Sequence, residues 1–375
     1  MPAGNFAASV AEMPLVDGHC HVLLAGPHDA ATFEIAATEA SLPAPPDVSY
    51  LDGALGLAIR RWCAPVLDLP AGAPIVDYLE RRARLGADEV AHRLLRAAGL
   101  SQFLVDTGLA GPALMSPVQL GALAGGRVRE VVRLETVAEQ VASEDPTAEG
   151  FASAFADALA EATTGAVAVK SILAYRYGFD ADLGRPSSTE VRRAAAGWLS
   201  QPGPGRIEDP VLLRFVLWCG VDCGLPIQMH AGFGDRDLRL AQADPALLQP
   251  FLAAVEPIGV PIVLLHCYPF HRQAGWLAQV YPHVYLDVGL TIAQVGAQAG
   301  LVLGEFFELA PFGKLLFSTD GYALPELFLV GAAQFRNSLI KLVGGWTADG
   351  AMPPEEAVRL AGLVGSRNAE RVYRL

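Results

Sequence analysis

Apolar runs rich in β-branched residues recur along the chain, and several of the stretches between them carry apolar positions on a helical period. Eight runs predict strands at 15–22, 102–107, 128–136, 166–172, 226–230, 261–266, 283–288 and 314–319. Helices are predicted between them. Residues 147–163 are alanine-rich, 188–199 begin within the capping signal Ser187-Ser188-Thr189-Glu190, and 209–220 open with Asp209-Pro210, an N-cap followed by a first-turn proline. A short helix is expected at 305–309, before the last strand. Strands that alternate with helices build a parallel sheet. Eight such units predict an α/β fold, a (β/α)8 TIM barrel, because closure leaves no exposed strand edge.

Two regions exceed a plain barrel. Residues 23–100 are too long for one connection and hold helical patterns at 50–63 and 75–98, so a helical insertion, serving as a lid near the catalytic face, is expected. Residues 325–375 should form C-terminal helices, one of them starting at Pro353-Pro354-Glu355-Glu356. The whole chain, 1–375, reads as a single domain.

Composition narrows the partners. The chain is 52% hydrophobic and 18% charged, enough apolar material for a large core and too little charge for a solvated tail. A net charge of −13 argues against binding nucleic-acid backbones, and no basic cluster offsets it. The five cysteines, Cys20, Cys63, Cys219, Cys223 and Cys267, are odd in number and do not make a secreted disulfide framework. Cys219 and Cys223 have half-site spacing for zinc but no second pair, so they read as packed thiols near a helix end. Residues 1–12 lack the basic start and apolar core of a secretory signal, and no apolar run reaches membrane-spanning length. A soluble cytoplasmic protein without membrane partners is the expectation.

The chemistry lies at the strand ends. His19 and His21 close the first strand, and side chains two apart on a strand share a face, so both imidazoles can converge on one ion. Lys170, His230, His266 and Asp320 close later strands, and barrel active sites form where such ends meet. One histidine at a strand end is most often structural. Four, joined by Asp320 and Lys170, are hard to explain as packing. Imidazole and carboxylate suit a divalent metal; zinc is the first expectation, with manganese or iron as alternatives. Such an ion acidifies a water and polarises a carbonyl, leaving Asp320 to act as general base.

Other polar residues lie near these ends. Arg176 is the best candidate to grip a substrate carboxylate by a bidentate fork, a salt bridge to a loop acid being equally open. Tyr175 and Gln228 are further candidates for substrate contact, with Asp235, Asp237 and Arg272 nearby. His271 reads as a loop residue bonded to backbone, and His28, His92 and His283 as ordinary histidines. Glu135, at the end of the third strand, is expected to support the site or to pair with Arg133.

This order of residues resembles the amidohydrolase superfamily. There a first-strand His-x-His, a fourth-strand Lys or Glu, histidines ending strands five and six, and an eighth-strand Asp form the metal centre; all six positions are filled here. The segments Lys170-Ser171-Ile172-Leu173-Ala174-Tyr175-Arg176, Gln228-Met229-His230-Ala231-Gly232-Phe233-Gly234-Asp235, His266-Cys267-Tyr268-Pro269-Phe270-His271-Arg272 and Phe317-Ser318-Thr319-Asp320-Gly321 are similar to one subgroup. It is the amidohydrolase-like domain that occurs alone in bacteria and fused ahead of a glutamine-synthetase-like domain in some fungal and plant proteins. The resemblance implies hydrolysis of the C–N bond of a small amide, with γ-glutamyl amides suggested by that fusion.

In the binuclear branch of the superfamily the fourth-strand lysine is carboxylated and bridges two metals. The resemblance therefore favours a bridging Lys170. A one-metal site of His19, His21, His230 and Asp320, with His266 holding water, is also open. Rival readings are a mononuclear-metal decarboxylase of small aromatic acids and a non-catalytic metal-binding regulatory protein. A homodimer paired through outer helices is the base-rate expectation.

Overall fold

Parallel strands covered on both faces read as nearly continuous apolar runs, and such runs fold here as strands. The computed structural model describes residues 3–109, 111, 113–201, 203 and 205–375. The strands are β1 (Leu15–Cys20), β2 (Leu100–Asp106), β3 (Arg127–Arg133), β4 (Ala168–Ser171), β5 (Ile227–Ala231), β6 (Ile262–His266), β7 (Val284–Asp287) and β8 (Leu315–Leu316). They hydrogen-bond in chain order, and with helices between them they make the predicted α/β TIM barrel. From β3 to β7 the register aligns Val132, Val169, Ile227, Ile262 and Val284 in one row. Every residue of β4, β5 and β6 is buried.

Packing divides the chain into two compact units. The first comprises Met1–Val105, Leu109–Arg129 and Asp287–Arg371. It holds β1, β8 and the insertion, whose helices are Ala30–Ala37, Ala54–Val66, Ile75–Leu85 and Ala87–Ala98. The helical pattern at 75–98 breaks at Gly86, whose φ of 83° leaves the helical region. Its second half buries Val90, Ala91, Leu94, Leu95 and Ala98, an amphipathic stripe, and stops at left-handed Gly99. The long helix Pro325–Ala348 packs on this stripe and on the N-terminal helix Ala3–Glu12. The helix expected at 305–309 is displaced: the chain is helical over Ala299–Phe306, an apolar segment that packs on Pro325–Ala348. The predicted start at Pro353-Pro354 is present as the helix Pro354–Gly362.

The last strand is shorter than its sequence run. Only Leu315–Leu316 forms a regular ladder. Beyond it the chain stays bonded to β1 irregularly: Gly18 N donates to Phe317 O and Asp320 N donates to His19 O, both at 3.0 Å. His21 N then donates to Gly321 O at 2.8 Å.

The second unit comprises Asp106–Gly108, Glu130–Leu286 and Val372–Leu375. Its outer helices start as predicted. Ser187 and Glu190 form a capping box ahead of Ser188–Leu199, and the Asp209 side chain accepts from Val211 N and Leu212 N ahead of Pro210–Asp222. Glu135 lies in the first turn of the helix Leu134–Ser143 rather than at a strand end, because β3 stops at Arg133. The cysteines are free thiols; Cys20 and Cys267 are buried against backbone carbonyls. Among the described residues no helix is long and apolar enough to cross a membrane.

A buried ion pair fastens the insertion to the C-terminal helix within the first unit. Arg82 Nε and Tyr78 Oη each donate to Glu326 Oε1 at 2.8 Å. Removing one partner of a buried pair strands the other charge. Arg82→Met is therefore expected to lower unfolding free energy by about 3–5 kcal/mol in urea titrations. A loss below about 0.5 kcal/mol, the size of an ordinary surface change, would mean that this pair does not secure the insertion.

Candidate functional site

The first unit places three ligand-type groups together. His19 and His21, two apart where β1 ends, are both buried, with ring centroids 5.0 Å apart and nearly perpendicular. Asp320 Oδ1 lies 3.1 Å from His19 Nε2 and 3.5 Å from His21 Nε2. Ligands about 2.1 Å from one ion at tetrahedral or octahedral angles stand roughly 3.0–3.4 Å apart, so the distances from Asp320 to each histidine are close to those of neighbouring ligands. Asp320 reaches the histidines in the left-handed backbone region, with φ of 51°. That conformation is costly for a non-glycine residue and is typically retained where function needs it.

A carboxylate that the sequence reading passed over holds this arrangement. Asp17 is fully buried in β1; Thr319 N donates to its Oδ1 at 2.8 Å and Thr319 Oγ1 to its Oδ2 at 2.5 Å. Burial pushes the Asp17 carboxyl up to about 8, against these hydrogen bonds. Asp287, ending β7, is fixed in a similar way: Ser318 Oγ donates to its Oδ2 at 2.7 Å. Both acids sit within apolar strand runs, the same signal that singled out Asp320.

The second unit gathers the remaining candidates. The His230 and His266 ring centroids, at the ends of β5 and β6, are 4.6 Å apart, and the Tyr175 ring lies 4.6 Å from His230. His266 and Cys267 have φ of 64° and 63°, a second strained turn beside a candidate ligand. Lys170 is buried, with Nζ 3.5 Å from Asp106 Oδ2. Arg133 Nη2 donates to the same oxygen at 2.6 Å and its Nε at 3.1 Å. The expected Arg133–Glu135 pairing therefore gives way to an Arg133–Asp106 ion pair. Asp106 was legible as an acid ending the run Leu104-Val105. Among the described residues there are groups of histidine and aspartate side chains that could hold a metal ion.

The candidates for substrate contact are dispersed. Gln228 is buried within β5 and donates to Tyr373 Oη at 2.9 Å. Arg176 pairs through Nη2 with Glu139 Oε1 at 2.8 Å. His271 is buried, and its ring stacks on Tyr268 at 5.6 Å. Asp237 pairs with Arg206 at 3.0 Å.

Glu135 accepts from Ser171 Oγ at 2.6 Å and Ile172 N at 3.0 Å, tying the helix after β3 to the end of β4. Burial pushes its carboxyl above the usual range, against the Ser171 bond and the Arg133 and Arg176 charges. A raised folded value means that the folded chain binds the proton more tightly than the unfolded chain. The stabilisation is complete below the ordinary carboxylate value and is lost as pH rises through the folded one. Glu135→Gln should therefore flatten the decline in urea midpoint as pH rises above the ordinary carboxylate value. Parallel declines in both proteins would contradict this assignment.

Known proteins resemble this chain in sequence and in fold. The model of the family described as amidohydrolase matches residues 135–375. Protein fluG of Emericella nidulans is 34% identical over 228 residues, which cover 57% of this chain and 26% of that protein. The chain thus spans about a quarter of the length of that curated relative. A solved structure from Lactobacillus casei, a candidate metal-dependent hydrolase, is 26% identical with a TM-score of 0.85 and covers 98% of this chain and 97% of its own. Uronate isomerase of Thermotoga maritima shares the fold at a TM-score of 0.66 and 15% identity, covering 99% of this chain and 97% of its own. The strand-end histidines and carboxylates, the barrel that carries them and the match over residues 135–375 lead to one assignment: the chain belongs to the amidohydrolase family.

Proposed function

We propose that the protein is a metal-dependent hydrolase that cleaves the C–N bond of a small amide. The observation that carries this reading is Asp320 Oδ1 standing 3.1 and 3.5 Å from the Nε2 atoms of His19 and His21. These three residues hold the ion, with zinc the first choice for a nitrogen- and oxygen-donor set. His230 and His266 are its further ligands or water-holding groups, as the superfamily resemblance implies. When bound, the ion supplies an acidified water and a polarised carbonyl. Asp320 would help to hold the ion and would serve as general base, taking the proton of the attacking water and passing it to the leaving nitrogen. Tyr175 and Arg176 are assigned to substrate positioning. A γ-glutamyl amide is the substrate suggested by the fused architecture of the similar fungal and plant proteins.

Lys170 supports a single ion. Asp106 Oδ2 lies 3.5 Å from its Nζ, as an ammonium would require. Carboxylation would place a second anion near that carboxylate, a repulsion that Arg133 and bound cations would offset, so the number of ions decides between the two forms. An unmodified lysine also favours a second reading, a mononuclear decarboxylase of small aromatic acids. Release of carbon dioxide from an aromatic acid, without amide hydrolysis, would identify it.

Two measurements test the proposal. Chelation should abolish amide hydrolysis, and Asp320→Asn should lower kcat by at least about 10²-fold while elemental analysis still finds metal. Undiminished turnover in either case removes the hydrolase mechanism. Elemental analysis should also find one ion per chain, with no carbamate resonance on labelling with ¹³C-bicarbonate. Two ions and a carbamate would establish the bridging lysine instead.

A further inference from the structure

A cavity of about 270 Å³ lies among residues that follow β4 and β5, lined by Tyr175, Arg176, Arg206, Glu208, Asp237 and Arg239. Three guanidinium groups meet two carboxylates in this lining. Arg206 Nη1 lies 3.0 Å from Asp237 Oδ2, and its Nε lies 3.9 Å from Glu208 Oε1. The lining residues carry one net positive charge, and Glu139 pairs with Arg176 from outside the lining.

Arg176 is the unusual member. Its side chain is only 7% exposed. Glu139 takes Nη2, whereas Nε and Nη1 are buried with no hydrogen-bond partner among the described residues. Burying guanidinium N–H groups without acceptors is costly, so this arginine calls for an acceptor that the described residues do not supply. Burial opposes its charge most; Glu139 and Glu135 favour that charge, and Arg206 and Arg133 oppose it.

Tyr175 joins the cavity to the histidines. It lines the cavity, and its ring lies 4.6 Å from that of His230, which lies 4.6 Å from that of His266. Gly234 permits the approach: a Cβ there would meet Tyr175 Oη at 2.1 Å and His230 Nε2 at 3.1 Å. The cavity therefore stands one aromatic ring away from the end of β5.

We propose that this cavity is a carboxylate subsite, which binds an anionic group of a small substrate at a distance from the bond that is cleaved. Arg176 supplies a buried guanidinium charge with unpartnered N–H donors, and Arg206 and Arg239 supply charge at the rim. Glu208 and Asp237 limit the net charge, which suits one carboxylate better than a phosphate dianion. The nature of the cleaved bond rests on the hydrolase reading; the anion subsite does not.

The test is calorimetric titration of the full chain with glutarate and with neutral glutaramide. Glutarate should bind at least about tenfold more tightly. The double variant Arg206→Gln/Arg239→Gln, on the exposed rim, should lose about tenfold in glutarate affinity while its glutaramide affinity is unchanged. Equal binding of the two ligands, no binding of glutarate, or wild-type glutarate affinity in the variant would overturn the proposal. Metal content of the same samples separates the two readings. A chain that discriminates glutarate from glutaramide but holds no metal keeps the subsite and loses the hydrolase.

Discussion

The seam between β1 and the segment after β8 governs the candidate metal centre. Backbone bonds from Gly18 to Phe317, from Asp320 to His19 and from His21 to Gly321 run along it, and the Asp17 carboxylate grips Thr319 from beneath. Asp17 and Thr319 stand 302 positions apart in the chain. Contacts of such separation reward the chain only after a large loop-closure cost has been met. Asp320 therefore meets His19 and His21 only when the first unit is folded. The seam also explains the truncated β8: an irregular backbone with a left-handed Asp320 turns the carboxylate toward the imidazoles, which a regular strand would not do.

The second unit solves a different electrostatic problem. Register sets Arg133 beside Lys170, so two cations occupy neighbouring positions of a buried parallel sheet. Such a pair is unfavourable unless an anion stands between them. Asp106, at the end of β2, is that anion, with one oxygen reached by both side chains. Glu135 performs a related service one turn later, bonding Ser171 and Ile172 and so fixing the backbone that leads to Tyr175 and Arg176. Charges at strand ends thus divide into those that present ligand atoms and those that hold the presenting strands.

Much of this was legible from hydrophobic patterning. Parallel strands are buried on both faces, so they stand out as apolar runs, and the polar residue that ends each run is conspicuous. His19, His21, Lys170, His230, His266 and Asp320 were visible on that ground. Asp106 ended such a run as well, but a single acid at a strand end has no partner until the register places Arg133 and Lys170 beside it. Asp17, within a strand, reads as an interruption of the apolar pattern until Thr319 is brought to it. Glu135 was set at a strand end because the run 128–136 continues into a helix without a break in hydrophobicity.

The sequence by itself determined the alternation of strands and helices, hence the barrel, and the residue types at the strand ends. These depend on local periodicity and on the rule that parallel strands expose their ends along one edge. Tertiary structure alone decided which charges neutralise one another. It set Arg133 on Asp106, Arg176 on Glu139 and Gln228 on Tyr373. Ion pairs and hydrogen bonds act over a few ångströms in space, and residues far apart in sequence acquire such distances only through the fold.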